Sequence, residues 1–242
     1  MTIEQFAADW ISAHIDEFQE EKRLKKLRQL RLTDLTRRKN PYLFRVKGME
    51  TGEQIIRSFL DAALSSSEET TFGDWMEKLA IAVAEEAYGG RKSATEGIDL
   101  ELTKDGCRYL VTIKSGPNWG NSSQIKRMVD NFKKAARTLR TSGHTGHVEF
   151  VNGCIYGKDA NPYKEKGYYK YCGKKFWEFI SGSDMLYKDI IDPLGKEAER
   201  WNELFEREYA AKVNTLTRDF LNEFCTPEGR VQWEVLLEHV SG

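Results

Sequence analysis

Apolar positions recur at helical spacing from the start of the chain. Ile3, Phe6, Trp10, Ile11, His14, Ile15 and Phe18 fall on one helix face. Thr2 with Gln5 is a capping-box signal at its beginning. A second stripe, Leu24, Leu27, Leu30 and Leu35, predicts another helix set among lysines and arginines, broken by Asn40-Pro41. Residues 1–39 are therefore expected to form a helical extension outside the main core. Its stripes can pack on that core or on a second subunit. Helices over 50–65 and 72–88 follow, the second ended by Gly89-Gly90.

The period changes at Ile98. Two runs, 98–103 and 108–114, alternate in the manner of strands, and Asp105-Gly106 between them is a strong two-residue hairpin signal. If those two residues fill the turn, Lys104 faces Cys107, Leu102 faces Tyr109, Leu100 faces Val111 and Asp99 faces Thr112. One face then carries Leu100, Leu102, Tyr109, Val111 and Ile113, and reads as core. The other carries Asp99, Glu101, Leu110, Thr112 and Lys114, and reads as the less apolar, wetter face. A helix capped by Ser122 or Ser123 runs to about Leu139, and a strand covers 148–156. Residues 158–175 are expected to be a loop with Tyr163, Tyr168, Tyr169 and Tyr171 among lysines. Helices over 176–180, 184–192 and 196–223 complete the chain. The order suits an αβββαβ core.

Asp99 and Lys114 share a face close to where the hairpin ladder ends. A hard divalent cation needs carboxylate and carbonyl oxygens on a rigid frame. Phosphodiester hydrolysis uses such a cation to polarise a phosphoryl oxygen and to help make hydroxide, and a neighbouring lysine stabilises developing negative charge. The plainer alternative is a wet strand face with ordinary charges. The loop 115–124 begins directly after Lys114. Ser115, Asn118, Asn121, Ser122 and Ser123 offer small polar groups there, and the helix start behind them favours phosphate. Gln124 on its first turn could reach a phosphate or a water, with Lys126 and Arg127 beside it.

An aspartate on one strand and a lysine on the next resemble the PD-(D/E)xK nuclease superfamily. The segments TFGDWMEKLA, YGGRKSATEGIDLEL, YLVTIKSGPNWGNSSQIK, NGCIYGKD, FWEFISG and DPLGKEAERWNELF are more specific. They resemble the type II restriction endonucleases of the group that cuts RGGNCCY sites, from about Asn40 to the C-terminus. The resemblance implies an α/β fold with a PD-(D/E)xK restriction-endonuclease-like core, a mixed central sheet flanked by helices, and an N-terminal helical extension. It implies Mg2+, replaceable by Mn2+, and hydrolysis of double-stranded DNA at a short palindrome to leave 5′-phosphate ends. It also implies a homodimer, a cognate DNA methyltransferase as functional partner, and a bacterial or archaeal cytoplasm. Residues 40–242 would be the catalytic and recognition domain, and 1–39 would serve dimerisation, DNA-backbone contact or both.

Carried over by position, Asp99 matches the metal-binding aspartate, Lys114 the lysine, and the carbonyl of Ile113 a further ligand. The second acid should stand two residues before the lysine, where this chain has Thr112. Three glutamates are candidates to replace it, ranked Glu77, Glu101, Glu96. Glu77 comes first because Gly73-x-x-x-Glu77 resembles the superfamily's glycine-then-glutamate helix. The departure also keeps open a DNA-binding protein with a weak site, beside a repair or junction-resolving nuclease of the same fold.

Composition adds boundaries. The 242 residues can bury a sizeable core. Lysines and arginines (37) balance acids (38), so net charge is silent about nucleic acid. Distribution is not: residues 21–47 hold eleven basic and two acidic residues, and 114–147 hold seven and one. The four cysteines form no CxxC and match no zinc spacing, so reduced thiols are expected. The longest apolar run, 79–84, is too short to span a bilayer. No basic-then-apolar leader opens the chain.

Overall fold

The structure, a computed structural model, describes residues 1–37, 39–143, 145–164 and 166–242. Arg38, His144 and Glu165, which fall in the basic segments and the tyrosine-rich stretch discussed above, lie outside the described residues.

The chain forms two compact units, residues 1–13 with 73–196 and residues 14–72 with 197–242. The limits do not fall at Asn40. Helix α1 (Ile3–Phe18) belongs in part to each unit, and the stretch after it is built into the second. There Leu24, Leu27, Leu30 and Leu35 are buried in one cluster with Ile55, Ile56, Phe59, Leu60, Val213, Leu216 and Phe220. The second leucine stripe is thus covered by its own chain. Burying each such side chain contributes about 1.5–3 kcal/mol, which is why 14–39 does not stand apart. His14, placed on the apolar face by spacing, is exposed.

The second unit is helical. A π-helical turn (Gln19–Leu24) leads into α2 (Lys25–Gln29), the backbone extends at Leu30, and α3 (Leu32–Thr36) follows. Asn40 caps α4 (Pro41–Val46), accepting from Tyr42 N–H at 3.0 Å, with Pro41 in the first turn. The two helices expected over 50–65 and 72–88 are one, α5 (Gly52–Tyr88). Residues 66–71, between the two expected helices, are part of it. Instead the Thr70 and Thr71 hydroxyls donate back to the carbonyls of Ser66 and Ser67, at 3.2 and 2.9 Å, and stay helical.

The first unit holds a six-stranded mixed sheet: β1 (Arg91–Lys92), β2 (Leu100–Lys104), β3 (Cys107–Lys114), β4 (Val148–Cys154), β5 (Tyr163–Lys164) and β6 (Tyr168–Cys172), in the order β1-β2-β3-β4-β6-β5. The β2–β3 hairpin has the expected register, with Leu100 opposite Val111, Leu102 opposite Tyr109 and Lys104 opposite Cys107. Asp105 and Gly106 both take positive φ, 51° and 75°, as the tightest hairpin turn requires. β3 and β4 are parallel, as are β4 and β6.

Two expectations are corrected. The face carrying Leu110 and Thr112 is not wet: α6 (Ser122–Thr141) lies on it, and Leu110 packs with Met128, Val129, Phe132 and Ala135. A strand inside a mixed sheet is covered on both faces, so alternation understated its burial. The stretch expected as a loop supplies β5 and β6. Tyr168 and Cys172 are buried, and Tyr169 pairs with Tyr163 and Tyr171 at 5.3 and 5.5 Å between ring centroids. Tyr168 lies against Phe132 at 6.4 Å between ring centroids, so these aromatic rings pack within the unit.

Beyond the sheet come α7 (Lys174–Ser181), α8 (Leu186–Asp189), α9 (Ile191–Phe224) and α10 (Trp233–Ser241). No helix among the described residues is long and apolar enough to cross a membrane.

Candidate active site

Asp99 immediately precedes β2 and is held by the end of the hairpin. Its N–H donates to the Val111 carbonyl at 2.9 Å, and its Oδ2 accepts the Ile113 N–H at 2.6 Å. This charge-assisted bond ties the carboxylate to the backbone of the partner strand. Lys114, the last residue of β3, turns back so that Nζ donates to the Ile113 carbonyl at 2.7 Å and lies 3.5 Å from Asp99 Oδ2. Its ammonium also sits 5.6 Å above the Trp119 ring. Three of the expected residues, Asp99, Ile113 and Lys114, thus meet around one positive charge.

Glu77 lies on α5 and is half-buried. Burial, and next the negative charge of Asp99, push its carboxyl above the usual range, while Lys114 and Lys92 pull the other way. Two carboxylates that repel each other across a partly dry site are the condition a divalent cation relieves. Asp99, Glu77 and the Ile113 carbonyl therefore form a chemically fitting oxygen set. Among the described residues no three His, Cys, Asp or Glu side chains gather closely enough to hold a metal by themselves.

The other candidate acids are engaged elsewhere. Glu101 accepts from Ser93 Oγ at 2.6 Å and pairs with Arg108 and, at 3.4 Å, with Arg91. Burial raises its pKa, but the bonds from Ser93 and Arg108 and the arginine charge outweigh it, leaving the carboxyl below the usual range. Glu96 is exposed, 3.8 Å from Arg127 and 4.0 Å from Lys134.

Thr112 is buried, and its hydroxyl accepts from Asn152 Nδ2 at 3.3 Å and approaches Met128 Sδ at 3.5 Å. Asn152 Oδ1 in turn accepts from Trp119 Nε1 at 3.0 Å. Sequence reasoning passed over Asn152 and Trp119. The signal was present: Asn152 is a lone amide in the otherwise apolar centre of a buried strand, where it must find partners.

The loop after Lys114 presents its polar groups to solvent. Ser115, Asn118, Asn121, Ser122, Ser123, Gln124, Lys126 and Arg127 are all exposed. The α6 cap is Asn121, where Ser122 or Ser123 was expected. Asn121 Oδ1 accepts the N–H groups of Ser123 and Gln124, both at 3.1 Å, and Gln124 Oε1 accepts Asn121 N–H at 2.9 Å. This reciprocal box satisfies donors that the sequence reading had offered to phosphate. At Gly116 the Tyr156 ring comes so close that an added Cβ would lie 2.5 Å from it, and Lys170 Nζ donates to the Pro117 carbonyl at 2.8 Å. The loop is thus held by Tyr156, just past β4, and by Lys170 in the middle of β6.

The family model described as type II restriction endonuclease EcoO109I matches residues 5–202. The chain belongs to that family of type II restriction endonucleases. Its mixed sheet flanked by helices is the α/β fold expected of such an enzyme, and DNA is the ligand the family implies. The match begins at residue 5, so it takes in most of 1–39, ahead of the segments from about Asn40 on that carry the resemblance. No curated protein matches the chain.

Proposed function

We propose that the protein is a Mg2+-dependent site-specific deoxyribonuclease that hydrolyses phosphodiester bonds of double-stranded DNA at a short palindrome of the RGGNCCY type, leaving 5′-phosphate ends. The observation that carries this reading is the Lys114 ammonium bonded to the Ile113 carbonyl beside Asp99, in a member of a restriction-endonuclease family. Asp99, the Ile113 carbonyl and Glu77 would hold the cation, with Glu101 as the second choice of acid. A bound divalent ion supplies polarisation of the phosphoryl oxygen and lowers the pKa of water. Mn2+ would substitute for Mg2+.

The chain's own residues do the rest. The Ile113 N–H holds the Asp99 carboxylate in one orientation before substrate arrives. Lys114 carries positive charge to the place where negative charge develops on phosphorus. Ser115, Asn118, Ser122, Ser123, Lys126 and Arg127 face solvent beside it and can contact backbone phosphates, with Asn121 and Gln124 shaping the loop that presents them. A palindrome read symmetrically calls for a two-fold assembly, so a homodimer is part of the proposal. A methyltransferase of the same specificity is its expected functional partner.

The test is digestion of sequenced plasmid DNA in Mg2+ and in chelator, with mapping of the cut ends. Discrete bands ending at RGGNCCY with 5′-phosphates are expected in Mg2+ alone. Discrete bands at another motif would remove the specificity, and cleavage only of branched or damaged DNA would replace the reading with a repair nuclease. Thr112, neutral and buried where an acid is expected, favours a second reading as a DNA-binding protein with a weak site. Site-specific binding with no cleavage in Mg2+ or Mn2+ would select it.

A further inference from the structure

Resting on the reading of Lys114 as a catalytic residue, we infer that Trp119 and Asn152 are positioning residues that hold its ammonium in place through a buried polar chain from Thr112. The chain runs across three elements. Thr112 on β3 and Asn152 on β4 are direct partners in the parallel ladder. Asn152 is 1% exposed and uses both ends of its amide: Nδ2 donates to Thr112 Oγ1 at 3.3 Å and Oδ1 accepts Trp119 Nε1–H at 3.0 Å. The indole so fixed presents its ring 5.6 Å from Lys114 Nζ.

Each link has a physical reason. A buried amide that loses a partner is costly, so the Asn152 orientation is strongly determined. Trp119 packs against the cluster under α6, so its ring is braced on one side while its N–H is tied on the other. Lysine is a flexible four-carbon stem, and an aromatic face attracts its ammonium without consuming a hydrogen-bond donor. Nζ then keeps its bond to the Ile113 carbonyl and its place beside Asp99. The same chain gives Thr112 a use: its hydroxyl orients Asn152 at the position where the superfamily pattern has an acid.

The experiment measures single-turnover cleavage at saturating DNA, DNA affinity in chelator, and thermal stability. The variants are Trp119→Leu, Trp119→Phe, Asn152→Ala, Thr112→Val and Thr112→Ser. Trp119→Leu removes ring and anchor together, and its cleavage rate should fall by roughly 10²-fold with unchanged affinity, the scale of a misplaced catalytic group. Trp119→Phe keeps a ring but loses the N–H, and Asn152→Ala loses the acceptor; each should cost about tenfold. Because both cut the same bond, the double variant should be no slower than the worse single one. Thr112→Val should slow cleavage and Thr112→Ser should restore it.

A readout independent of activity comes from protein labelled with 13C-lysine. The resonance lost in Lys114→Ala should carry an upfield ring-current shift, reduced in Trp119→Phe and abolished in Trp119→Leu. Variants that melt earlier yet cleave at the wild-type rate and leave that resonance unmoved would overturn the inference. So would additive effects of Trp119→Phe and Asn152→Ala. If Lys114→Ala cleaves normally, the reading of the site itself fails, and that result is separate from either of these.

Discussion

Asp99 and Glu101 stand two residues apart at the start of one strand, yet their surroundings differ. Glu101, in the body of the hairpin, is closed in: Arg108, Arg91 and Ser93 bind it, and its side chain is only 9% exposed. Asp99, at the open end, has one backbone N–H and one ammonium, and keeps 22% of its side chain exposed. In the body of the hairpin Glu101, Arg108 and Lys104 each have a protein partner, so that region contributes chiefly stability. At the end of the ladder the strand geometry runs out, the Ile113 carbonyl turns from the ladder to the Lys114 ammonium, and a charge is held without being saturated. Chemistry is expected at such ends.

The sharpest way to break this comparison is to truncate the two acids in turn. Asp99→Ala should reduce cleavage by about 10²–10³-fold or more, while leaving the melting temperature close to that of wild type and DNA binding intact. Binding in chelator should tighten, because a negative charge near a phosphate is gone. Normal cleavage by Asp99→Ala would end the reading of the open end as a reactive site. Glu101→Ala should act mainly through stability. It leaves Arg108, 22% exposed, without its carboxylate. The cost should be about 2–3 kcal/mol, somewhat under that of a fully buried pair, and roughly a 5–10 °C fall in Tm. Cleavage by the folded Glu101→Ala protein should remain within a few-fold of wild type. Calorimetry with cleavage assays below both melting points checks this; a large activity loss with an unchanged Tm would instead make Glu101 a metal ligand and Glu77 a bystander.

Much of the open end was legible in the sequence. The Asp105-Gly106 turn sets the register, and register alone places Asp99 beside the Ile113–Lys114 end of its partner strand. What was not legible depends on which elements cover the strand. Leu110 and Thr112 read as a wet face because alternation carries no information about α6 lying on it. β6 was obscured by lysines at Lys170 and at both ends of its loop, although its YYKYC run is rich in strand-forming tyrosines; Lys170 is absorbed by the Pro117 carbonyl and by Asp159 at 3.7 Å. The continuity of α5 through 66–71 was not legible because serine and threonine side chains can compete with helix bonds, and here the Thr70 and Thr71 hydroxyls bond back within the helix. The replacement acid stayed open among three glutamates because partners from distant elements, Arg108 for Glu101 and Asp99 for Glu77, decide which is committed.

Those partners give the two remaining glutamates opposite responses to pH, the smallest and most discriminating of these effects. The Glu101 carboxyl lies below its ordinary value of 4.5. Its contribution to stability is therefore present above that value and lost as pH falls through the lowered one. Glu77 is raised above 4.5 by burial and then by the Asp99 charge. Its folded state is least penalised below 4.5, and that relief is lost as pH rises through the raised value. Glu101→Gln should accordingly melt below wild type at pH 7, with the gap closing as the pH falls below about 4.5. Glu77→Gln should melt slightly above wild type at pH 7 in chelator, and that gap should also close on acidification. Added Mg2+ should narrow the Glu77→Gln advantage further, because a cation held by wild-type Glu77 and Asp99 stabilises the folded chain by mass action and removes the repulsion the variant was relieved of. The measurement is Tm against pH for the three proteins with and without Mg2+. If Glu77→Gln melts below wild type at neutral pH in chelator, Glu77 is a satisfied structural carboxylate, and the open end of the hairpin has only Asp99 and a carbonyl to offer a metal.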